Sequence, residues 1–541
     1  MLVFNLKDKE MSTRFKRYTA VLLLMATVFA SCKKDLNLRP TNDIIADQVY
    51  STPQGYKQSF AKIYAAWALV GIKGPGSLIG DLAGFDPAQS DFLRQYWNLQ
   101  ELTSDAATCA WPDQGVPDAV YGTPGPDNNM VKGLYARCIY QITLVNEFLR
   151  ESTPEKLASR NITGTAVGDI ALYRAEARFL RAYQYSILMD MYGNPPFLTE
   201  ADEIGKIAPK QIKRADLFKY VESELKAIEN DLAAPRTNEY GRADRAAAWT
   251  ILARIYLNSE VYLGAGQGKY TDAVAYAGKV IAAGYTLSDT YKNLFLTDNN
   301  LTSKEIILTI NYDGFKTQGY GGTTFLINSN IDPGMNPASF GVPGGGWSGN
   351  RSKSTLPLLF GDYSGNTDKR AMFFGTKVAN DDIAVTNDGL RITKFRNVSS
   401  TGAMGGSQDG TFSSLDFPLL RLADVYLMYA EAVLRGGTGG SAAQALTYFN
   451  ALRTRAYGNT SGNVNSITLN DILNERGREL YMEGYRRTDL IRFGKYTGAS
   501  YLWPWKNGVK AGKALEDFRA LLPLPSTDVI ANQNLTQNPG Y

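Results

Sequence analysis

Apolar residues recur every three or four positions over long stretches of this chain, the spacing of helices that bury one face. Residues 170–192, IALYRAEARFLRAYQYSILMDMY, hold that period without Pro or Gly, and Gly193, Pro195 and Pro196 then stop it. Residues 242–262, RADRAAAWTILARIYLNSEVY, predict a second helix, followed after a Gly-rich loop by a third over Tyr270–Ala283. Trp249, Leu252, Ala253 and Tyr256 on one helix face Ala273 and Ala277 on the next. Large residues filling a gap while Ala lets two backbones approach is the packing of a tetratricopeptide-like hairpin. A second instance starts at Tyr426, with Tyr429, Ala430 and Val433, and returns through Ala442, Leu446 and Phe449. Residues 170–192 read as part of a third, more degenerate unit. The expected fold is therefore all-α, built of tetratricopeptide-like repeats.

Between the helical blocks the pattern breaks. Residues 263–268 and 317–350 are rich in Gly, Asn, Ser and Pro, and 358–418 carries short β-like pieces such as GLRITKF. Residues 284–418 read as a loop-rich insertion on the helical frame, within a single domain over 45–541. The chain's start is different again. Five basic residues precede the uncharged run Tyr18–Ala30, which is too short for a membrane span of ~20 residues. A basic start, an apolar run and small residues leading to Cys32 predict a lipoprotein-type signal peptide over 1–31, lipidation of Cys32 and a polar tether over 32–44.

Composition narrows the chemistry. Among 541 residues there is no histidine, which excludes a histidine-assisted nucleophile, a histidine-ligated metal and a histidine proton shuttle. Three cysteines are too few for a cysteine-only zinc site, although Cys109 and Cys138 are free to pair in an oxidising compartment. Without residues 1–31 the chain carries 52 basic and 51 acidic side chains, so nucleic acid is not an expected partner.

Several stretches are recognisable together. Cys32 is followed by DLNLRP, then come AEARFLRAYQYSILMDMYGNPPF, GRADRAAAWTILARIYLNSEVY, FPLLRLADVYLMYAEAVLR, ILNERGRELYMEGYRRTDLIRFGKY and LPLPSTDVIANQNLTQNPGY. In this order and over nearly the whole mature length, the chain resembles the SusD/RagB family of outer-membrane glycan-binding lipoproteins, and within it the starch-binding branch. The resemblance implies a helical-repeat body with a loop-rich face and a lipid-anchored position on the cell surface at the outer membrane. It implies a SusC-like TonB-dependent β-barrel transporter as partner, starch or a maltooligosaccharide as ligand, and no catalysis or required cofactor.

Sugar recognition needs flat aromatic faces for the C–H faces of pyranose rings and planar polar groups that fork to hydroxyls. Trp347, after three glycines, Tyr320, among Gly319, Gly321 and Gly322, and Trp111, before Pro112, are the loop-borne aromatics that qualify. In the resemblance they correspond to an aromatic arc that cradles the curve of a starch helix, directly at Tyr320 and Trp347 and through ELTSDAATCAW at Trp111. Arg94, in SDFLR, matches an arginine that bonds sugar hydroxyls. An asparagine after the first tryptophan is not reproduced, so Asp113 or Gln114 is expected in its place, and Asp86 is expected to reach the sugar from the 80–87 loop. Family members can carry structural calcium, for which Asp298 and Asp416 are the candidates here. The C-terminal acids Glu475, Glu479 and Glu483, spaced by four, invite a two-carboxylate glycosidase reading. Pairing with Arg476, Arg478, Arg486 and Arg487 in a buried charge network is the expectation adopted instead. A third reading makes the chain a structural lid whose own sugar contacts are dispensable.

Overall fold

The computed structural model describes residues 46–541 apart from 72–73, 75–78, 203–204, 206–207 and 408. The signal peptide, Cys32 and the tether lie outside the described residues. Ala46–Thr52 belong to a short N-terminal unit, and Pro53–Tyr541 pack together as one body.

Helices dominate that body. They are α1 (Pro53–Ala68), α2 (Phe92–Trp97), α3 (Asn129–Glu151), α4 (Thr165–Met191), α5 (Arg214–Ala227), α6 (Arg245–Leu257), α7 (Tyr270–Ile281), α8 (Gly322–Asn328), α9 (Leu422–Leu434), α10 (Ala442–Tyr457), α11 (Leu469–Leu480) and α12 (Arg486–Arg492), with shorter turns between them. Their starts follow from local chemistry. Asn128 Oδ1 accepts from the Met130 amide at 2.9 Å before α3, Asp244 Oδ1 accepts from Ala246 and Ala247 before α6, and Thr468 and Asp471 form a reciprocal box before α11.

The hairpins pair as α3 with α4, α6 with α7 and α9 with α10, and α7 stacks on α9 so that successive hairpins share a core. The all-α, tetratricopeptide-like expectation holds. In the first expected hairpin, α6–α7, Leu252, Ala253, Tyr256, Ala273 and Ala277 are buried as read, whereas Trp249 is only partly covered. In the second the stripe is displaced: Ala442 is exposed and Leu446 only partly covered, while Ala445, Phe449, Leu452 and Ala456 are buried. The cause is the N-cap at Ser441, which places Ala442 in the open first turn. The helix expected over 242–262 is broken at Asn258, whose backbone leaves the helical region before a separate turn over Ser259–Leu263.

Among the described residues six short strands form three antiparallel pairs: β1 (Ala107–Cys109) with β3 (Asn350–Ser352), β2 (Ile306–Ile310) with β6 (Phe417–Arg421), and β4 (Phe373–Phe374) with β5 (Arg391–Ile392). β5 lies in the GLRITKF stretch. The region 284–418 is thus less loop-like than expected. It contains α8, every residue of 321–331 is buried, and β3 ties it to β1 in the register Ala107↔Ser352 to Cys109↔Asn350. Cys109 on β1 and Cys138 on α3 are buried free thiols and do not pair. Burial pushes the Cys109 thiol up to about 11.

The C-terminal acids are buried in a charge network. Glu475 and Glu479 lie on α11. The helix ends at Leu480, and Met482 takes φ of +65° in the turn that brings Glu483 beside them. Arg421 bonds Glu305 (2.9 Å), Glu479 (2.7 Å) and Glu483 (2.6 Å), Arg370 bonds Glu475 (2.7 Å) and Glu479 (2.9 Å), and Lys394 bonds Glu483 (2.6 Å). Of the four expected cations, Arg478 pairs with Glu475, Arg476 with Asp424 and Asp489, and Arg486 with Asp105, whereas Arg487 donates to the carbonyls of Arg519 and Ala520.

Candidate functional site

Three segments meet on the loop face, and each is pinned by its neighbours. Asp91 caps α2 by accepting from the Arg94 amide at 2.9 Å, and the same oxygen accepts from the Gly322 amide at 2.9 Å. That second bond draws the Tyr320 segment onto the start of α2. A Cβ on Gly321 would lie 2.1 Å from Asp91 Cβ, so the approach requires glycine. Burial pushes the Asp91 carboxyl up to about 6, against its two amide donors.

Trp347 is held just as firmly. Its amide donates to the Asn328 carbonyl (2.7 Å), and the amides of Ser348, Gly349 and Asn350 donate to Ile331 and Ser329, lacing the segment to the end of α8. The PGGG-Trp run is therefore a fixed turn, although its composition reads as an unsupported loop. Gly346 (φ +71°) and Ser348 (φ +58°) flank the tryptophan in left-handed backbone, in the turn that leads into β3.

The Trp111 loop follows β1. The Ala110 amide donates to Gly349 O, and Trp111 Nε1 donates to Trp347 O at 3.3 Å. Behind the loop the buried Lys353 amine donates to the carbonyls of Leu102 (3.2 Å), Ser104 (2.6 Å) and Val120 (2.9 Å), on both flanks of the loop. Burial pushes this amine down to about 7, with Asp105 acting the other way.

The three expected rings come together. Trp111 and Trp347 have centroids 6.5 Å apart at 45°, and Tyr320 and Trp347 6.2 Å apart at 55°. All three are partly exposed, so they form a bent row of adjoining faces with Trp347 at its centre. Phe412, also partly exposed, extends the row 5.5 Å beyond Tyr320. Sequence reading missed Phe412, whose neighbours in GTFSSLDFPL give it no mark that separates it from core.

At the Trp111 end a cavity of about 80 Å³ is lined by Asp86, Arg94, Trp111, Asp113, Gln114 and Phe325. The four expected polar residues share this one place. Asp86, Asp113 and Gln114 are exposed, with Asp86 Oδ1 accepting from the Ala88 amide and Gln114 Oε1 3.5 Å from Asn129 Nδ2. Arg94 lies with its guanidinium 4.5 Å over Phe325 and 5.8 Å over Trp111, and its Nη1 donates to Ala88 O and Tyr320 O. Stacking between rings presets its plane, which favours forked donation over a mobile charge.

Asp298 and Asp416, the calcium candidates, each bond to protein donors. The Asp298 oxygens accept from the amide and hydroxyl of Ser400, and the Asp416 oxygens accept from the Tyr312 amide (2.8 Å) and Tyr240 hydroxyl (2.9 Å). Burial pushes the Asp416 carboxyl up to about 6. Calcium takes six to eight oxygens, and no group of three or more acidic or cysteine side chains gathers for a metal among the described residues. No helix among them is long and apolar enough to cross a membrane.

The helical fold of the body is shared with solved structures. A SusD superfamily protein from Bacteroides thetaiotaomicron superposes with a TM-score of 0.68 at 19% identity, covering 90% of this chain and 100% of that one. A laminarin binding SusD-like protein superposes at 0.66 and 23% identity, over 90% and 99%. The family model described as the SusD family matches residues 264–541. The starch-binding protein SusD of Bacteroides thetaiotaomicron is 33% identical over 96% of this chain and 98% of its own length. This chain belongs to the SusD family.

Proposed function

We propose that the protein is a non-catalytic, cell-surface glycan-binding lipoprotein that captures starch or maltooligosaccharides and hands them to a TonB-dependent β-barrel transporter. The observation that carries this reading is the contiguous row Trp111–Trp347–Tyr320 beside the Arg94 cavity. A bent row of faces suits the curved side of an α-1,4-glucan better than a flat ribbon, since each ring meets one sugar of a turning chain. The relative named as a starch-binding protein, at 33% identity over almost its full length, supports the same ligand class. A shallow row buries few sugar faces, so the expected affinity is weak, roughly micromolar to millimolar.

The test is retardation in native gels containing amylopectin. Trp347→Ala and Trp111→Ala are expected to migrate as in plain gels while melting like the parent. Unchanged retardation in both would reject the reading. A different glycan is the second reading, because a laminarin binding protein shares this fold. Parallel gels with laminarin decide between the two. The glycosidase reading finds its C-terminal acids enclosed in salt bridges, and release of reducing sugar from soluble starch by purified protein would revive it.

A further inference from the structure

Two cavities flank Tyr240, away from the aromatic row's own residues. The first, of about 270 Å³, is walled by Phe60 and Tyr64 of α1, Tyr173 of α4, Tyr240, Asn311 and Thr317. The second, of about 240 Å³, is walled by Asn238, Tyr240, Asn299, Asn300 and Thr309 among others. Each approaches the lower end of the range of small-ligand pockets, ~300 Å³. Tyr240 borders both. It is 47% exposed, yet its hydroxyl is anchored on Asp416 at 2.9 Å, so the ring is fixed while its surface stays bare. Gly241 turns with φ of +79° against Asn311, where a Cβ would sit 2.2 Å from Nδ2, and this close turn sets Tyr240 between the cavities.

The chemistry of the walls is that of a sugar site. Rings provide apolar faces, and side-chain amides supply paired donors and acceptors. Asn299, in the wall of the second cavity, is wholly buried, and its Oδ1 has no hydrogen-bond partner. Of the charged wall residues, Arg242 is paired with Glu176 and Glu239 (2.5 and 3.3 Å), while Lys57 lines the first cavity and Arg236, Asp244 and Lys304 the second. Position points the same way. Thr317 borders the first cavity and Tyr320 is a ring of the row, and three residues of chain span at most about 11 Å. Phe315, two residues before Thr317, is 63% exposed.

We propose that the trough around Tyr240 is a second saccharide site that takes the continuation of a neutral glucan chain lying on the aromatic row. The inference rests on the glycan reading above and adds a length dependence to it. A short oligosaccharide fills the row alone, and a long chain gains contacts in the trough.

The experiment compares full-length parent, Tyr240→Ala, Tyr240→Phe and Ala61→Trp in amylopectin gels and in calorimetric titrations with maltotriose. Ala61 is exposed on the trough wall, so a tryptophan there fills the space without entering the core. Tyr240→Ala and Ala61→Trp are expected to weaken amylopectin retention about fivefold and leave maltotriose binding unchanged. Tyr240→Phe keeps the ring but loses its anchor on Asp416, and its amylopectin retention is expected to lie between those of the parent and Tyr240→Ala. Parent-like retention by both Tyr240→Ala and Ala61→Trp overturns the inference, as does an equal loss toward maltotriose. The reading it rests on fails separately: retention would then survive Trp111→Ala and Trp347→Ala.

Discussion

Gly349 has no side chain because the Trp111 ring occupies the space one would take. A Cβ there would lie 2.2 Å from Trp111 Cε2, closer than non-bonded atoms tolerate. Gly349→Ala is therefore expected to push the ring out of the row. Overpacking of this kind costs about 1–3 kcal/mol in stability, but glycan retention should fall at least tenfold, since the centre-to-end spacing of the row is lost. Gly344→Ala is the matched control, with nothing within 4 Å of its Cβ, and should leave melting and amylopectin retardation unchanged. Retention by Gly349→Ala equal to the control would mean that Trp111 contributes no stacking. At this scale the legible residues were those whose neighbours betray them. Trp347, Tyr320 and Trp111 stand among Gly and Pro, where a large ring has little local core. Phe325, Phe412 and Asp91 were not legible. Phe325 sits in the apolar run of α8 and reads as core, and the role of Asp91 depends on Gly322, far off in the chain.

Among elements, long helices were legible and short ties were not. The α6–α7 hairpin shows itself because 3.6-residue periodicity accumulates over a dozen positions. β1 and β3 have three residues each, all buried, so no alternation marks them, and their pairing joins positions more than two hundred residues apart. Yet this pair, with Lys353 beside it, sets the distance between Trp111 and Trp347. Lys353→Met would leave three buried carbonyls without their donor, each worth about 1–3 kcal/mol when unmet. The expected result is local: faster amide hydrogen exchange over 102–111 and weaker glycan retention, with α6 and α7 protected as before. Exchange unchanged over 102–111 would show that the β ladder alone holds the loop, and the amine would have no positioning role.

Over the whole molecule the buried charges join what the repeats leave separate. Glu305, Arg370, Lys394, Arg421, Arg455 and the α11 acids come from six stretches of sequence and converge at the edge of the helical core. Burial alone would raise the Glu475 carboxyl, but Arg370, Arg478 and Arg453 outweigh it and hold the group at about 2. Arg455, Arg421 and Arg370 likewise outweigh burial at Glu479 and hold it well below the usual carboxylate range. Both folded values lie below the unfolded one. Their stabilisation is thus complete above pH ~4.5 and is lost as pH falls from there toward 2, by up to about 1.4 kcal/mol per pH unit for each group. Glu479→Gln removes the carboxylate that Arg370, Arg421 and Arg455 share and leaves the buried cluster with one positive charge in excess, a loss expected near 3–5 kcal/mol at neutral pH. The diagnostic lies in the pH dependence. Below pH 4.5 the Glu479 carboxyl takes up its proton in the parent's unfolded chain while the folded chain keeps it ionised, so the gap between the two denaturation midpoints should narrow steadily as the pH falls. A gap that stays constant from pH 6 to pH 3 would assign the loss to packing and leave the charge network no stabilising role at that position.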